Sequence, residues 1–354
     1  LCNVTSATLA GNTPTSGSGT WTKVSGPTAV SFTNPNSATT TVSGLGAGTY
    51  ILQWTISNGV CASSQSTVQI EVDPPTIPGT LASPATVCAT ANAGTLTLSG
   101  YSSSILHWES SIDNGNTWGA IVNTSNTYTY NNLTTTTLFR ASVKSGSCAA
   151  QYSNNVAVTV APAVTTANAG ANQTLCNVTA ITLAGNIPTS GTGTWSKISG
   201  PTAVTFTNAN DPNTTVNGLT TGTYQFQWTI SNGVCASSQS TVQVQIDPAT
   251  VTGTLATPAS VCATSNAGTL TLSGYTSSIL KWQSSVDNGN TWLDIANTNN
   301  TYTYNNLTQS TLYRASVKSG VCAAQYSNNV AITVLQAVTA ANAGPDQQLC
   351  NVTS

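Results

Sequence analysis

Acidic side chains are the first residues in this chain that could do chemistry. A glycosidase of the two-carboxylate type holds a pair of acids on either side of a cleft. The candidate pairs are Glu71 with Asp73 and Glu109 with Asp113. A second copy of each segment occurs later in the chain, and there Gln245 and Gln283 replace the two glutamates. Neither glutamate can therefore be a required catalyst in both copies.

Nucleophilic and metal chemistry find little support in the residue types. His107 is the single histidine, so a Ser-His-Asp set has one candidate base, and the second copy replaces it with Lys281. No Cys-x-x-Cys pair is present for zinc, and the isolated aspartates do not make a calcium cage. The sequence therefore predicts no catalytic residue, no metal site and no cofactor, with an ion at the Asp-Pro joints between domains as the open alternative.

Two octapeptides, SIDNGNTW and SVDNGNTW, resemble the Asp-box, a β-hairpin motif of sialidases and other secreted β-proteins. Sialidases also use a cluster of arginines, whereas each copy here has a single one, Arg140 or Arg314. We therefore interpret the motif as a structural turn in which Asp bonds backbone amides, Gly takes a positive φ and Trp packs beneath. The residues of the two turns are Ser111, Asp113, Gly115, Trp118, Ser285, Asp287, Gly289 and Trp292.

The tryptophans could also stack on sugars. Four of them lie on apolar faces of predicted strands and are expected in cores, namely Trp54, Trp108, Trp228 and Trp282. Trp21 and Trp195, in the segments GTWTK and GTWSK, are the candidate glycan contacts. A glycan-binding role would therefore be tested at Trp21.

The elements that must position these residues are repeated along the chain. A shift of 174 residues without a gap aligns the first copy with the second, and roughly three-quarters of the aligned residues are identical. Each period divides into two segments of different pattern, modules A and B, with joints rich in Pro, Ala and Gly. We predict module A1 at 1–74, B1 at 75–163, A2 at 164–248, B2 at 249–337 and the start of a third A module at 338–354. Because LCNVTS stands at both ends, we expect a slice of a longer array, in which A1 lacks the lead-in that precedes later A modules.

Short runs that alternate apolar with polar residues predict strands and no convincing helix. The segment TYILQWTISNG places Tyr50 and Trp54 on one face. In ILHWESS, the same alternation predicts that Leu106 shares a face with Trp108, and that Ile105 lies on the other. Several short strands in each module predict an all-β fold, a tandem array of β-sandwich domains in A-B-A-B order.

The nine cysteines follow the repeat. Each module has two of them about 60 residues apart, one near its start and one after the penultimate strand. We predict one disulfide within every module: Cys2–Cys61, Cys88–Cys148, Cys176–Cys235 and Cys262–Cys322. Cys350 is left over, because its mate would lie beyond the last residue. Paired cysteines at matched spacing favour an extracellular compartment over buried free thiols in a reducing one.

Charge and hydropathy argue against two classes of partner. The 7 basic and 9 acidic residues give a net charge of −2, too weak a field to attract nucleic acid. No apolar run approaches the roughly 18 residues that a membrane helix needs. We therefore predict no nucleic-acid partner and no membrane span. No signal peptide heads the chain and Met is absent, as expected of a mature or excised segment.

A family resemblance rests on specific segments. Module A, with ANAGPDQQLCNVTS, GTWTKVSGP and LQWTISNGVC, resembles the PKD-like repeats of secreted Bacteroidetes proteins. Module B, with TYTYNNL, TTLFRASVKSGSC and YSNNVAVTV, resembles the Ig-like repeats that accompany them. The combination covers nearly the whole chain and is similar to the very large gliding-motility adhesins of flavobacteria. The resemblance implies PKD-like and Ig-like sandwiches, export by the type IX secretion system, display on the outer membrane, and movement along the cell by the gliding machinery.

Two functions are consistent with these observations. We expect a structural stalk segment of a very large cell-surface adhesin or filament, used in surface adhesion and gliding motility. Its expected partners are neighbouring repeats of the same chain, and extracellular polysaccharide or solid surfaces. The alternative is a set of glycan-binding modules attached to a secreted enzyme. An enzyme in its own right is the least favoured hypothesis, because the candidate acids and the histidine are replaced in the second copy.

Overall fold

The computed structural model describes residues 1–263 and 265–348. All regular elements in these two ranges are β-strands. Within the same ranges, no helix is long and apolar enough to cross a membrane. The chain divides into two compact units. Unit 1 comprises Leu1–Val164 together with the loop Asn232–Ala236, and unit 2 comprises Thr165–Ser231 and Ser237–Ser354.

Module A1 is a sandwich of two three-stranded sheets. Its strands are β1 (Ser6–Ala10), β2 (Ser18–Ser25), β3 (Ser31–Phe32), β4 (Thr39–Ser43), β5 (Gly48–Ser57) and β6 (Ser64–Val72). One sheet has the order β2-β5-β6 and the other β1-β4-β3, with antiparallel neighbours throughout. Leu9 and Val42 from the second sheet share one apolar core with Tyr50, Leu52 and Trp54 from the first. The alternation of TYILQWTISNG thus places every second side chain inside.

Module B1 has two main sheets and a short parallel pair. Its strands are β7 (Ile77–Leu81), β8 (Val87–Cys88), β9 (Ala93–Ser102), β10 (Ser104–Ser111), β11 (Gly119–Ile121), β12 (Thr127–Asn131), β13 (Thr137–Lys144), β14 (Gln151–Tyr152), β15 (Val156–Val158) and β16 (Val160–Ala161). One sheet runs β11-β10-β13-β14, with β15 also paired to β13, and the other runs β12-β9-β7. Strands β8 and β16 pair in parallel. Trp108 and Phe139 from the first sheet and Leu96 and Leu98 from the second fill the core.

Module A2 repeats A1 with one more strand. Its strands are β17 (Gln173–Cys176), β18 (Ala180–Thr182), β19 (Thr192–Ser199), β20 (Thr205–Phe206), β21 (Thr215–Asn217), β22 (Gly222–Ser231) and β23 (Ser238–Asp247). The larger sheet has the order β17-β23-β22-β19, and β17 lies parallel to β23. The other sheet has the order β18-β21-β20. Tyr224, Phe226 and Trp228 are fully buried, as are their counterparts in the apolar face of β5.

Module B2 repeats B1 strand for strand. Its strands are β24 (Val251–Leu255), β25 (Val261–Cys262), β26 (Ala267–Thr276), β27 (Ser278–Ser285), β28 (Leu293–Ile295), β29 (Thr301–Asn305), β30 (Thr311–Lys318), β31 (Gln325–Tyr326), β32 (Val330–Ile332) and β33 (Val334–Leu335). The sheet orders are β28-β27-β30-β31 and β24-β26-β29, with β32 on β30 and β25 parallel to β33. Of the predicted third A module, residues 338–348 contain no strand. Cys350 and the rest of 349–354 lie outside the described residues.

The predicted all-β tandem architecture is confirmed, but one assignment of faces is wrong. Ile105 is buried, with 6% of its surface exposed, whereas Leu106 is 41% exposed. A β-bulge between Ile105 and His107 shifts the register of β10 against β13, so that Ile105 and Trp108 both point inward. The bulge recurs between Ile279 and Lys281. The module boundaries stay predictions.

Glycines make room for paired tryptophans in the A cores. The rings of Trp21 and Trp54 lie 5.1 Å apart, centroid to centroid. A Cβ atom placed on Gly19 would lie 1.9 Å from the Trp54 ring, so this strand position accepts no side chain. Gly193 stands in the same relation to Trp228, at 2.0 Å.

Candidate functional site at the module joints

The joint between A1 and B1 is closed by a disulfide. Cys2 bonds Cys148, 146 residues further along the chain, with their Cα atoms 4.7 Å apart. Cys2 is placed by the end of β6, because it forms an isolated parallel bridge with Asp73. Asp73 N–H donates to the Leu1 carbonyl at 2.8 Å, and Asn3 N–H donates to the Asp73 carbonyl at 2.9 Å. The first residues of A1 are thereby fixed where the chain leaves this module for B1.

A carboxylate beside this disulfide connects the same two modules. Asp73 Oδ2 accepts hydrogen bonds from the N–H and the hydroxyl of Ser147, each at 2.7 Å. The backbone hydrogen bond and then the hydroxyl hydrogen bond from Ser147 lower the pKa of the Asp73 carboxyl below its usual value. Gly146 has a φ of +42°, and a Cβ atom there would lie 2.1 Å from the carboxylate. This close approach explains the glycine.

The Asp-Pro linker is anchored as well. Ser145 N–H donates to Thr76 Oγ1 at 3.1 Å, and that hydroxyl donates to the carbonyl of Ala149 at 3.0 Å. The linker of this joint is therefore held by hydrogen bonds to the loop that carries Cys148.

The joint between A2 and B2 repeats this construction within unit 2. Cys176 bonds Cys322 with Cα atoms 4.9 Å apart. Asp247 Oδ2 accepts from the N–H of Val321 at 2.9 Å, and Gly320 has a φ of +45°. Val321 replaces Ser147, so the hydroxyl contact is lost while the backbone contact stays. Two independent copies of the sequence thus build the same joint.

A third disulfide involves the loop Asn232–Ala236, which belongs to unit 1. Cys235 in this loop bonds Cys88 with Cα atoms 5.0 Å apart. Asn232 Nδ2 donates to the carbonyl of Pro162 at 2.8 Å. The loop is shaped by its own asparagine, since Asn232 Oδ1 accepts from the N–H groups of Val234 and Cys235 at 3.1 and 2.8 Å.

The predicted pairings within modules are wrong. The contradicted pairs are Cys2–Cys61, Cys88–Cys148, Cys176–Cys235 and Cys262–Cys322. The reason is the parallel strand pairing at the start of each module. Cys2 lies beside Asp73 at the end of β6, whereas Cys61 precedes the beginning of β6. About 12 residues of extended chain, roughly 40 Å, separate them, whereas a disulfide needs Cα atoms less than about 7 Å apart.

Module B1 shows the same geometry. Cys88 pairs with Ala161 after β15, while Cys148 precedes β14. Each module therefore carries its two cysteines at opposite ends, which suits bonds to two neighbours. Cys61 is a free, exposed thiol.

The Asp-box residues form a tight turn between β10 and β11. Asp113 Oδ1 accepts from Ser111 Oγ at 2.7 Å and from Thr117 N–H at 2.9 Å, and Oδ2 accepts from the Thr117 hydroxyl at 2.6 Å. The hydroxyl and the N–H of Thr117, and then Ser111, lower the pKa of Asp113 from 3.8 to about 2. Gly115 has a φ of +89°, and its carbonyl accepts from Trp118 Nε1 at 3.0 Å. The second copy has the same bonds in Ser285, Asp287, Gly289 and Trp292.

The arginine of each B module lies between two aromatic rings. Arg140 Cζ is 3.9 Å from the ring centroids of both Trp118 and Tyr152, and its Nε donates to Glu109 Oε2 at 2.7 Å. The second copy has Arg314 between Trp292 and Tyr326, with Gln283 as the acceptor. Our sequence analysis missed the tyrosine; the signal was an arginine facing outward on a strand beside the Asp-box tryptophan. The arginine thus joins the Asp-box turn to β14.

The candidate acids serve separate local structures. Glu109 is bonded to Arg140 and to His107 Nε2 at 3.1 Å, while Asp113 is held in its turn. Burial raises the pKa of Glu109, but the hydrogen bonds from Arg140 and His107 outweigh burial and lower it below its usual value. Among the described residues, no three His, Cys, Asp or Glu side chains are grouped to hold a metal ion.

The second copy rearranges these charges. Gln283 replaces the glutamate, and Asp294 on β28 bonds both Gln283 Nε2 and Lys281 Nζ at 2.7 Å. The acid has moved to the neighbouring strand while the arginine has stayed in place. The position of the acid is therefore free to vary in a way that the arginine and its rings are not between these two copies.

Trp21 and Trp195 lie in the cores, contrary to the hypothesis that they contact glycans. They are 5% and 2% exposed. Trp21 Nε1 donates to the Ala38 carbonyl at 3.3 Å, and Trp195 Nε1 donates to the Pro212 carbonyl at 3.1 Å. Stacking on a sugar needs an exposed ring face, and their ring faces pack on Trp54 and Trp228 instead.

Solved structures similar to the chain are tandem domains. The I67–I69 fragment of the titin I-band is 16% identical with a TM-score of 0.41, covering 69% of this chain and 94% of that fragment. Extracellular domains 3–5 of Drosophila OTK are 10% identical with a TM-score of 0.35, covering 73% and 96%. A Ca²⁺-stabilised adhesin that helps an Antarctic bacterium bind ice is 12% identical with a TM-score of 0.28, covering 81% of each chain. Alignments of this quality transfer no property to the chain.

Family models match both module types. No curated protein is significantly similar to the chain. A PKD domain family matches residues 3–72 and 169–246. A domain of unknown function, DUF8696, matches residues 77–162 and 251–336. The chain is thus a tandem array in which a PKD domain and a DUF8696 domain alternate twice.

Proposed function

We propose that this chain is a structural stalk segment of a very large cell-surface adhesin or filament. The observation that supports it is the disulfide at each A–B joint, Cys2–Cys148 and Cys176–Cys322. A disulfide within a domain stabilises that domain alone, whereas one at a joint keeps two successive domains connected even if either unfolds. A load-bearing array needs the second property.

The order of the disulfides shortens the covalent route along the chain. Force applied at the two ends passes from Cys2 to Cys148, then through the backbone to Cys176, and from there to Cys322. Most of each module lies off this route. Unfolding of a module therefore releases little length, and the segment behaves as a nearly inextensible spacer under shear.

The surface and the compartment agree with this role. With 5% charged residues and a net charge of −2, the array has a weak field of its own, and its solubility rests on Ser, Thr and Asn. Three disulfides suit a protein that works in an oxidising, extracellular setting. By resemblance to gliding-motility adhesins of the SprB type, we extend the proposal to type IX secretion, outer-membrane display and a role in gliding. The partners would be neighbouring repeats and an extracellular polysaccharide or solid surface.

Single-molecule pulling tests the proposal through lengths that the disulfides fix. Attached at both ends, the oxidised chain has about 60 residues of extensible backbone, which is roughly 200 Å at about 3.5 Å per residue. The reduced chain extends to roughly 1,200 Å, and the pairing within modules would instead give roughly 400 Å. All measurements use a Cys61→Ser background to prevent thiol exchange.

Matched pairs of serine variants sharpen the test. Replacing Cys2 and Cys148 together lengthens the shortest covalent route to about 180 residues, roughly 600 Å. Replacing Cys88 and Cys235 together leaves the route unchanged, because that bond lies off it. An oxidised chain that extends well beyond 200 Å, or equal lengthening in both double variants, rules out the proposed load path.

A further inference from the structure

The edge of β23 in module A2 is covered by the segment that precedes β17. Ala167 N–H donates to Ser238 Oγ at 2.9 Å and Ala169 N–H to Ser240 Oγ at 3.1 Å. Both alanines are buried, at 8% and 1% exposed. Further along, Asn172 Oδ1 accepts from the N–H of Gln243 at 2.8 Å. This lead-in, residues 165–172, thus continues the sheet as an extended peptide.

The same edge in module A1 is exposed. Ser64 and Ser66 stand 174 residues before Ser238 and Ser240, and both are exposed on β6. Val68 is 39% exposed, whereas its counterpart Val242 is 1% exposed. A depression of about 190 Å³ follows this edge. It is lined by Gly11, Asn12, Trp21, Trp54, Ser66 and Val68, among others.

The cysteine loop of A1 has the shape of its bonded counterpart. Asn58 Oδ1 accepts from the N–H groups of Val60 and Cys61 at 3.1 and 2.8 Å, the same distances as in the loop that carries Cys235. Cys61 is nonetheless a free, exposed thiol, and it lines a second depression of about 160 Å³ with Ser16 and Ile56. In the second copy this loop is bonded to Cys88 of a B module. The loop is therefore formed without the bond.

We propose that the β6 edge and the Cys61 loop together form a docking surface for the end of another B module and the lead-in that follows it. The lead-in supplies an extended peptide whose N–H groups bond the hydroxyls of Ser64 and Ser66. The B module supplies a cysteine equivalent to Cys88, which bonds Cys61. The occupant is thus a segment of the type of residues 75–174. This inference concerns assembly of the array and holds whether or not the array is an adhesin stalk.

The covalent step needs an electron acceptor. Two thiols lose two protons and two electrons when the new S–S bond forms, and a small-molecule or protein disulfide of the oxidising compartment accepts them. The acceptor first forms a mixed disulfide with one cysteine. The thiolate of the other cysteine then attacks that sulfur and expels the acceptor's second thiolate, which leaves the acceptor reduced to two thiols.

An extended chain tests the proposal. A copy of residues 75–174 is fused in front of Leu1, which reproduces the sequence that joins B1 to A2. The alkylation rate of Cys61 by a maleimide should fall at least tenfold relative to the 354-residue chain. Peptide mapping without reductant should find Cys61 bonded to the added copy of Cys88. Hydrogen exchange at the Gln69 amide, the counterpart of Gln243, should slow at least tenfold.

A matched variant separates the two halves of the surface. With the added copy of Cys88 changed to Ser, Cys61 should react again while Gln69 stays protected, because the lead-in still lies along β6. The Cys176–Cys322 bond, present in every version, reports correct folding. The proposal is overturned if, in a correctly folded extended chain, Cys61 reacts as in the parent chain or Gln69 exchanges as fast as before.

Discussion

Cys88 is bonded to Cys235, a residue 147 positions away, and not to Cys148, which is much nearer in sequence. Cys148 in turn is bonded to Cys2. The two cysteines of one module lie at opposite ends of its β-sandwich, so each faces a different neighbour. The spacing that looks like a closed loop within one module is therefore the spacing between two joints.

Peptide mapping of the oxidised chain should confirm this connectivity. Because the bonded Cα atoms are 4.7 to 5.0 Å apart, within the range for a disulfide, we expect proteolysis without reductant to release three cross-linked pairs. These pairs are Cys2–Cys148, Cys88–Cys235 and Cys176–Cys322. A peptide that joins Cys2 to Cys61 would contradict the structure. Alkylation before digestion guards against exchange from the free Cys61.

Removing one joint disulfide should destabilise unit 1 without changing its strands. In the chain-entropy model, a closed loop of this size contributes on the order of 4 to 5 kcal/mol. The double variant Cys2→Ser with Cys148→Ser should therefore unfold at a lower temperature by calorimetry. Cys61→Ser is the matched control and should leave the midpoint unchanged, since Cys61 is free and exposed. Equal midpoints for the double variant and the parent would show that the joint bond adds no stability.

The sequence predicted the strands well and the cysteine bonds poorly, for physical reasons. Alternation is a local signal, so the buried face of Tyr50, Leu52 and Trp54 could be read directly. The direction of the first strand is not local. Cys2 lies beside Asp73 because the chain start runs parallel to β6, and no residue pattern distinguishes that arrangement from an antiparallel one.

The error at Ile105 has a related cause. A bulge adds one residue to β10, and the alternation that was correct at Trp108 is out of phase at Leu106. The Asp-box turn, by contrast, follows from its own eight residues, which make all the bonds that define it. Local geometry was thus accessible, and geometry between segments was not.

The close approach of Gly19 to Trp54 predicts a large effect from a single methyl group. Gly19→Ala would place Cβ 1.9 Å from the ring, and overpacking of this kind costs about 1–3 kcal/mol. Hydrogen exchange of the β5 amides should show that loss of local stability. Gly46→Ala is the matched control in the same module, because its Cβ would meet no atom closer than 3.4 Å. Similar exchange in the two variants would show that the core accommodates the methyl group.

The two aromatic rings around Arg140 predict that lysine is a poor replacement. Arg140→Lys removes the planar group that stacks on Trp118 and Tyr152, and each such contact is worth about 0.5–1 kcal/mol at a partly exposed site. We expect a loss of about 1–2 kcal/mol in B1 by hydrogen exchange of β13. Arg314→Lys should cost a similar amount although its acceptor, Gln283, is neutral. A loss confined to Arg140→Lys would show that the ion pair with Glu109 matters and the stacking does not.

The Asp113 carboxylate predicts a loss of stability in acid. Its pKa is about 2 in the folded turn, against 3.8 ordinarily, because Thr117 and Ser111 bond the charged form. Between about pH 4 and pH 2 the unfolded carboxyl binds more protons than the folded one, so the turn's stability is fully present above that window and is lost as the pH falls through it. Hydrogen exchange at the Thr117 amide should accelerate over this range, after correction for the intrinsic rate. Asp113→Asn should remove that pH dependence in B1 and leave it intact at Thr291, where Asp287 has the same pKa of about 2. A Thr117 amide equally protected at pH 2 and pH 5 in the parent chain would show that the charged carboxylate does not hold the turn.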